Sequence, residues 1–300
     1  MGRTLEAGAC RAPRGPGEPR ASNSSRSHGA LVSLARVVGS WLALSLVGCG
    51  ASRGATREAE PASTGTPSRV DTNGRVQARP SAVTRERAAS PGAHPLGLGG
   101  ERDGLLYVPR SLPLDLPAPL MLLLHGSKGN ARQMLEVMQP LAESEGILLL
   151  IPESRGPTWD DKMGRHGEDL AFIDGALAHV FSRHAVARER ISVAGFSAGA
   201  SYALALGILN GDLFSRILAF SPAFVHADEP RGVPAIFIAH GDQDLALPVE
   251  ESGRRIVAEL RAAGFGVHYL EFSGGHSMPV EVVRAAARWL RETPPSVNLP

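Results

Sequence analysis

The sequence predicts an α/β architecture, a mostly parallel β-sheet covered by helices on both faces. Three observations carry this. Continuous apolar runs of strand length recur, at Leu120–Leu124, Gly146–Pro152 and Pro234–Ala239, and Ile191–Ala194 is apolar and β-branched apart from Ser192. Runs without polar alternation suit strands buried on both faces. Between them lie stretches with apolar residues at helical spacing, such as Phe172, Ile173, Leu177, Val180 and Phe181. Residues able to carry chemistry stand at the ends of the strand runs, where sheets of this kind bind ligands.

Composition narrows the class. The 300 residues carry a net charge of +1. That balance is split. Residues 1–95 hold 13 Arg and Lys against 6 Asp and Glu, whereas residues 96–300 hold 18 against 24. A mildly acidic folded part argues against nucleic acid as its partner. The only cysteines are Cys10 and Cys49. After residue 95, then, neither a disulfide framework nor a thiolate metal site is available, and no metal is expected.

Residues 1–30 are rich in Arg, Gly, Pro and Ser and show no hydrophobic periodicity. The apolar run Val37–Val47 is too short to cross a bilayer, which takes about 20 residues, and fits the apolar part of an export signal. Its end, Leu46-Val47-Gly48-Cys49, resembles a bacterial lipobox. The resemblance implies an exported lipoprotein, facing the periplasm or cell exterior and held to a membrane by acyl chains on Cys49. A cleaved, freely secreted protein and a coincidental apolar run are the alternatives. The leader ahead of the run is long for a signal, and translation from near Leu31 or Val32 would shorten it. Residues 50–95 are mostly small, polar or charged and are expected to form a disordered linker.

The domain proper is expected over 96–293, with 294–300 a tail. Gly104–Val108 is a first strand. Leu120–Leu124 is a second, followed by His125-Gly126-Ser127 and a helix with Asn130 as its N-cap, which Pro140 should bend or split. After the strand Gly146–Pro152 comes a polar loop containing Trp159. Glu168 and Asp169 open the next helix, where acidic groups suit the positive end. Ile191 leads a strand into Gly195-Phe196-Ser197-Ala198-Gly199 and a helix through Tyr202–Leu206. Arg216–Phe220 and Pro234–Ala239 are further strands, Val249–Ala263 a helix, Val267–Phe272 the last strand and Val280–Leu290 the last helix. The connection from Ser221 to Val233 is too short for a large helical lid.

Gly-x-Ser-x-Gly between a strand and a helix is a nucleophile elbow. With 34 glycines in the chain the pattern alone is weak, and its strand-to-helix setting carries the reading. A serine hydroxyl needs a base, and the base needs a carboxylate to orient it. Ser197 is followed by Asp242 and Asp244 at one strand end and His276 at the next, in the chain order nucleophile, acid, base. His125 and His240 compete with His276, but each ends a strand before a glycine, where histidine more often pins a loop. Amides of Ala198 and Ser127 are the candidate oxyanion donors. Trp159 is a candidate for lining the acyl or alcohol pocket, with packing the equal alternative.

Together, Leu-His-Gly-Ser, Ser-Arg-Gly-Pro-Thr-Trp-Asp, Gly-Phe-Ser-Ala-Gly-Ala-Ser, His-Gly-Asp-Gln-Asp and Gly-Gly-His resemble the small α/β-hydrolase serine esterases over about residues 100–292. The nearest groups are phospholipase/carboxylesterase and the polyhydroxybutyrate depolymerase-like or feruloyl esterase-like enzymes. The resemblance implies the α/β-hydrolase fold. It makes Asp244 the acid and Asp242 a loop-capping carboxylate. It also implies hydrolysis of small-molecule or lipid-like esters through an acyl-enzyme, without a cofactor. A monomer or dimer is expected, with Ser197 in an open, shallow cleft. Two other readings stand beside this one: a non-catalytic surface lipoprotein on the same scaffold, and a peptidase.

Overall fold

Leu120, Leu122 and Leu124 point to one face of the central strand and Met121 and Leu123 to the other, and all five are fully buried. A strand covered on both sides needs a helical layer on each. In the computed structural model, which describes residues 74–81, 89–112, 116–160, 167–226 and 229–294, both layers are present. The strands are β1 (Gly92–Pro95), β2 (Gly104–Val108), β3 (Ala118–Leu124), β4 (Leu148–Pro152), β5 (Val186–Phe196), β6 (Arg216–Phe220), β7 (Ala235–Gly241) and β8 (Val267–Phe272). The helices are α1 (Ala131–Glu145), α2 (Glu168–Phe181), α3 (Ala198–Leu209), α4 (Arg255–Ala262) and α5 (Val280–Glu292). One π-helical turn, Glu250–Arg254, leads into α4.

The sheet order is β1-β2-β4-β3-β5-β6-β7-β8. The pairings β1 with β2 and β2 with β4 are antiparallel, and every other pairing is parallel. Apolar side chains of α2, α3 and α4 join the core on the Leu120 face, and those of α1 and α5 the core on the Met121 face. Each large apolar side chain so buried contributes about 2 kcal/mol. Helix α3 is buried along its whole length, packed chiefly on β5 and β6. The parallel strands therefore deliver their carboxyl ends, and the residues after them, to one edge.

The structure departs from expectation in three places. Helix α1 runs unbroken through Pro140. Pro140 and Glu136, whose carbonyl it leaves without a helical partner, both lie on the exposed side, where water can take that bond. The linker is shorter than 50–95. Strand β1 lies inside it and pairs along β2. Residues 74–81 are also held down: the Val76 side chain is fully buried, and its N–H donates to Asn210 Oδ1 at 2.9 Å. The Asn210 amide donates in turn to the Gly74 carbonyl at 2.9 Å. Finally, β5 begins at Val186, five residues before the expected Ile191, and carries an irregularity in its pairing with β3. The export signal, Cys49, the linker up to residue 73 and the tail beyond 294 lie outside the described residues. Among the described residues, no helix is long and apolar enough to cross a membrane.

Candidate active site

Strand β5 ends in Phe196, and α3 begins at Ala198. Ser197 bridges them at φ 55° and ψ −119°. A side chain rarely adopts this backbone conformation, and holding it costs about 1–3 kcal/mol. The surroundings enforce it. The Ser197 N–H donates to the Phe220 carbonyl at 2.9 Å, and its own carbonyl accepts the first turn of α3. The flanking glycines are needed for close approach. A Cβ on Gly195 would lie 2.1 Å from the Gly199 carbonyl oxygen, and one on Gly199 2.4 Å from that of Leu124.

Asp244 follows β7, and His276 follows β8. The His276 Nδ1–H donates to Asp244 Oδ2 at 2.7 Å. The other carboxylate oxygen accepts the N–H groups of Ala246 at 2.9 Å and Leu247 at 2.8 Å. Burial pushes the Asp244 carboxyl upward. The His276 hydrogen bond and the two amides outweigh it and hold the group below the ordinary carboxylate range. The acid is therefore ionised and oriented. With Nδ1 committed, Nε2 is the free nitrogen of His276. The ring lies against Phe196, with centroids 4.8 Å apart, one residue from Ser197. No hydrogen bond joins the Ser197 hydroxyl to the ring in the described structure. Such contacts commonly tighten only when substrate is bound.

The loop after β3 forms the opposite wall. A Cβ on Gly126 would lie 3.4 Å from that of Ser197. The Ser127 N–H makes no hydrogen bond within the described structure, while the neighbouring Lys128 N–H donates to Pro157 at 2.7 Å. The Ser127 hydroxyl donates to Thr158 Oγ1 at 3.1 Å. Ala198 N–H opens α3, where helix geometry leaves it without an intrahelical acceptor. Both expected oxyanion amides are thus unspent within the described structure.

A cleft of about 300 Å³ opens between these walls. It is lined by His276, Phe196, Gly126 and Ser127, and by Gln133, Met134, Val137 and Met278, and among the described residues no Asp, Glu, Lys or Arg lines it. The residues sequence reasoning missed are Met134 and Val137 on α1 and Met278, two residues after His276. Met134 and Val137 read as the core face of an amphipathic helix. Their spacing gave no sign that this face overhangs the cleft. The segment between Ser221 and Pro234 contains no helix among its described residues, consistent with the absence of a large lid.

Three other sequence candidates take structural places. Trp159 does not line the cleft: it is 1% exposed, and its indole N–H donates to the His125 carbonyl at 2.7 Å. It stacks on Tyr202 of α3 at 5.4 Å, so the packing alternative is the one realised. His125 is buried, with Nδ1–H donating to the Gly126 carbonyl at 2.7 Å and Nε2 accepting from the Ser154 N–H at 3.0 Å. Burial pushes its pKa down, and both nitrogens are occupied, so it is neutral and pins the loop. Asp242 Oδ1 accepts the Gly274 N–H at 3.0 Å and ties β7 to the turn that carries His276. No group of three or more potential ligands able to hold a metal occurs among the described residues.

The mostly parallel sheet, the helices on both its faces and the sharp turn at Ser197 between β5 and α3 are those of the α/β-hydrolase fold. Residues 171–293 match the phospholipase/carboxylesterase family, a segment that includes Ser197, Asp244 and His276. Among solved structures, esterase PE8 is similar at 21% identity and a TM-score of 0.52, covering 63% of this chain and 97% of its own. A CE1 ferulic acid esterase from Anaeromyces mucronatus, solved with ferulic acid, is 16% identical with a TM-score of 0.52, over 70% of this chain and 93% of its own. An S-formylglutathione hydrolase from Agrobacterium tumefaciens is 17% identical with a TM-score of 0.52, over 67% and 93%. At these identities the structures establish a shared fold. No curated protein sequence matches the chain.

Proposed function

We propose that this protein hydrolyses uncharged carboxylic esters through an acyl-enzyme on Ser197. The observation that carries the proposal is the 2.7 Å Asp244–His276 hydrogen bond beside a serine held at positive φ. The Ser197 hydroxyl attacks the ester carbonyl as His276 Nε2 takes its proton. Ser127 and Ala198 N–H groups receive the oxyanion, each contributing on the order of 3 kcal/mol to the transition state. His276 passes the proton to the departing alcohol. Water then repeats the sequence and releases the acid. Asp244 holds the imidazole in one tautomer and balances its charge.

A cleft without charged side chains favours neutral acyl or aryl groups over phosphorylated or zwitterionic ones. The lipobox-like Cys49 supports a membrane-tethered, exported form of the enzyme, which fractionation of a Cys49→Ser variant would test. For the reaction itself, Ser197→Ala should abolish p-nitrophenyl acetate hydrolysis while circular dichroism stays unchanged. Retention of most activity would refute the assignment.

A further inference from the structure

His240 belongs to none of the roles above, yet it touches the acid. It ends β7, is fully buried, and its Nε2 lies 3.3 Å from Asp244 Oδ2. That is the same oxygen that accepts from His276. The tautomer follows from the other contacts. Nε2 also lies 2.9 Å from the Leu247 carbonyl, which can only accept, so Nε2 carries the proton. Nδ1 is buried without a hydrogen-bond partner.

The ring is wedged in place from behind. Gly253, in the π-helical turn, faces it so closely that a Cβ would lie 2.8 Å from His240 Nδ1 and 3.0 Å from its Cβ. Ser252 of the same turn brings its hydroxyl 3.4 Å from Nε2 and donates to the Pro248 carbonyl at 2.6 Å. The wide π turn thus backs one side of the imidazole, while the Leu247 carbonyl receives its Nε2–H on the other.

Resting on the esterase reading above, we propose that His240 is a positioning residue for the reaction. Its Nε2 lies against Asp244 Oδ2 while its N–H holds the carbonyl of Leu247, whose own N–H binds Asp244 Oδ1; contact and loop together fix the carboxylate, and so the height and tilt of the His276 ring. It does not touch substrate. It acts wholly through Asp244, and that makes the proposal separable from a general role in holding the fold together.

The test is a set of steady-state kinetic measurements on p-nitrophenyl acetate. His240→Leu removes the donor. It should lower kcat by about tenfold to a hundredfold, the size expected for a small misplacement of catalytic groups, with KM changed less than about twofold. His240→Gln offers an amide N–H close to the position of Nε2 and should recover most of that loss. In an Asp244→Asn background, His240→Leu should cost nothing further, because the group it acts through is already disabled. Gly253→Ala gives an independent approach that keeps the histidine, for use even where His240→Leu does not fold. It pushes the ring from behind and should lower kcat in the wild-type background only. Equal losses in both backgrounds would overturn the proposal, as would wild-type kcat in folded His240→Leu or in Gly253→Ala. The esterase reading fails by a different result, activity in Ser197→Ala, so the two outcomes stay distinct.

Discussion

Trp159→Phe separates the packing role of this side chain from the pocket role that its loop position suggested. The substitution keeps an aromatic ring beside Tyr202 but removes the indole N–H that satisfies the His125 carbonyl at 2.7 Å. Orphaning a buried carbonyl costs about 1–3 kcal/mol. The smaller ring loses about another 1 kcal/mol of burial. For a domain of this size each kcal/mol moves the melting temperature by about 2–4 °C. Trp159→Phe should therefore melt roughly 4–16 °C lower by differential scanning calorimetry. Because the side chain is 1% exposed, it offers substrate no surface. The ratio of kcat/KM between p-nitrophenyl acetate and p-nitrophenyl hexanoate should stay within about twofold of wild type. An unchanged melting temperature with an altered chain-length ratio would refute the reasoning and return Trp159 to the pocket.

Three further outcomes follow. Ser197→Gly should abolish activity and raise stability by about 1 kcal/mol, because glycine adopts φ 55° without strain. A chemical denaturation midpoint at or below that of wild type would contradict it. Asp169 is buried, which raises its pKa to about 6 against two backbone N–H groups that pull it down. The folded state therefore holds this proton more tightly than the unfolded chain. The stability it contributes is present at low pH and lost as pH rises from about 4 to about 6, by roughly 3 kcal/mol. Melting temperatures across that window should show the decline in wild type and not in Asp169→Asn. A protein beginning at residue 96 should melt at least about 5 °C below one beginning at residue 74. It lacks β1 and leaves Asn210 without the Val76 and Gly74 partners. Equal melting would show that this segment adds nothing.

Much of the fold was legible because parallel strands buried on both faces announce themselves as unbroken apolar runs, as at Leu120–Leu124. The elements that escaped notice lack that signal. Strand β1 is Gly-Ala-His-Pro, an edge strand held by backbone pairing and with no large apolar side chain. Residues 74–81 bury the side chains of Val76 and Pro80 and otherwise dock through hydrogen bonds to Asn210, Asp174 and Asp212. Composition reads such a segment as linker. At the site, Asp244 and His276 could be found because each stands at a strand end, where the backbone alone decides its neighbourhood. Trp159, Val137 and His240 could not be assigned that way. Their roles depend on which way a side chain points: Trp159 into the core, Val137 over the cleft, His240 onto an oxygen already claimed by His276.

The central claim is that Ser197 is the nucleophile that Asp244 and His276 activate. Its most direct measurement is labelling with a fluorophosphonate ester followed by peptide mapping by mass spectrometry. One phosphonyl adduct should form, on the peptide containing Ser197. Its rate of formation should fall by on the order of a hundredfold or more in His276→Ala, since the base that activates the hydroxyl is then gone. An adduct on another residue, or undiminished labelling without His276, would contradict the account.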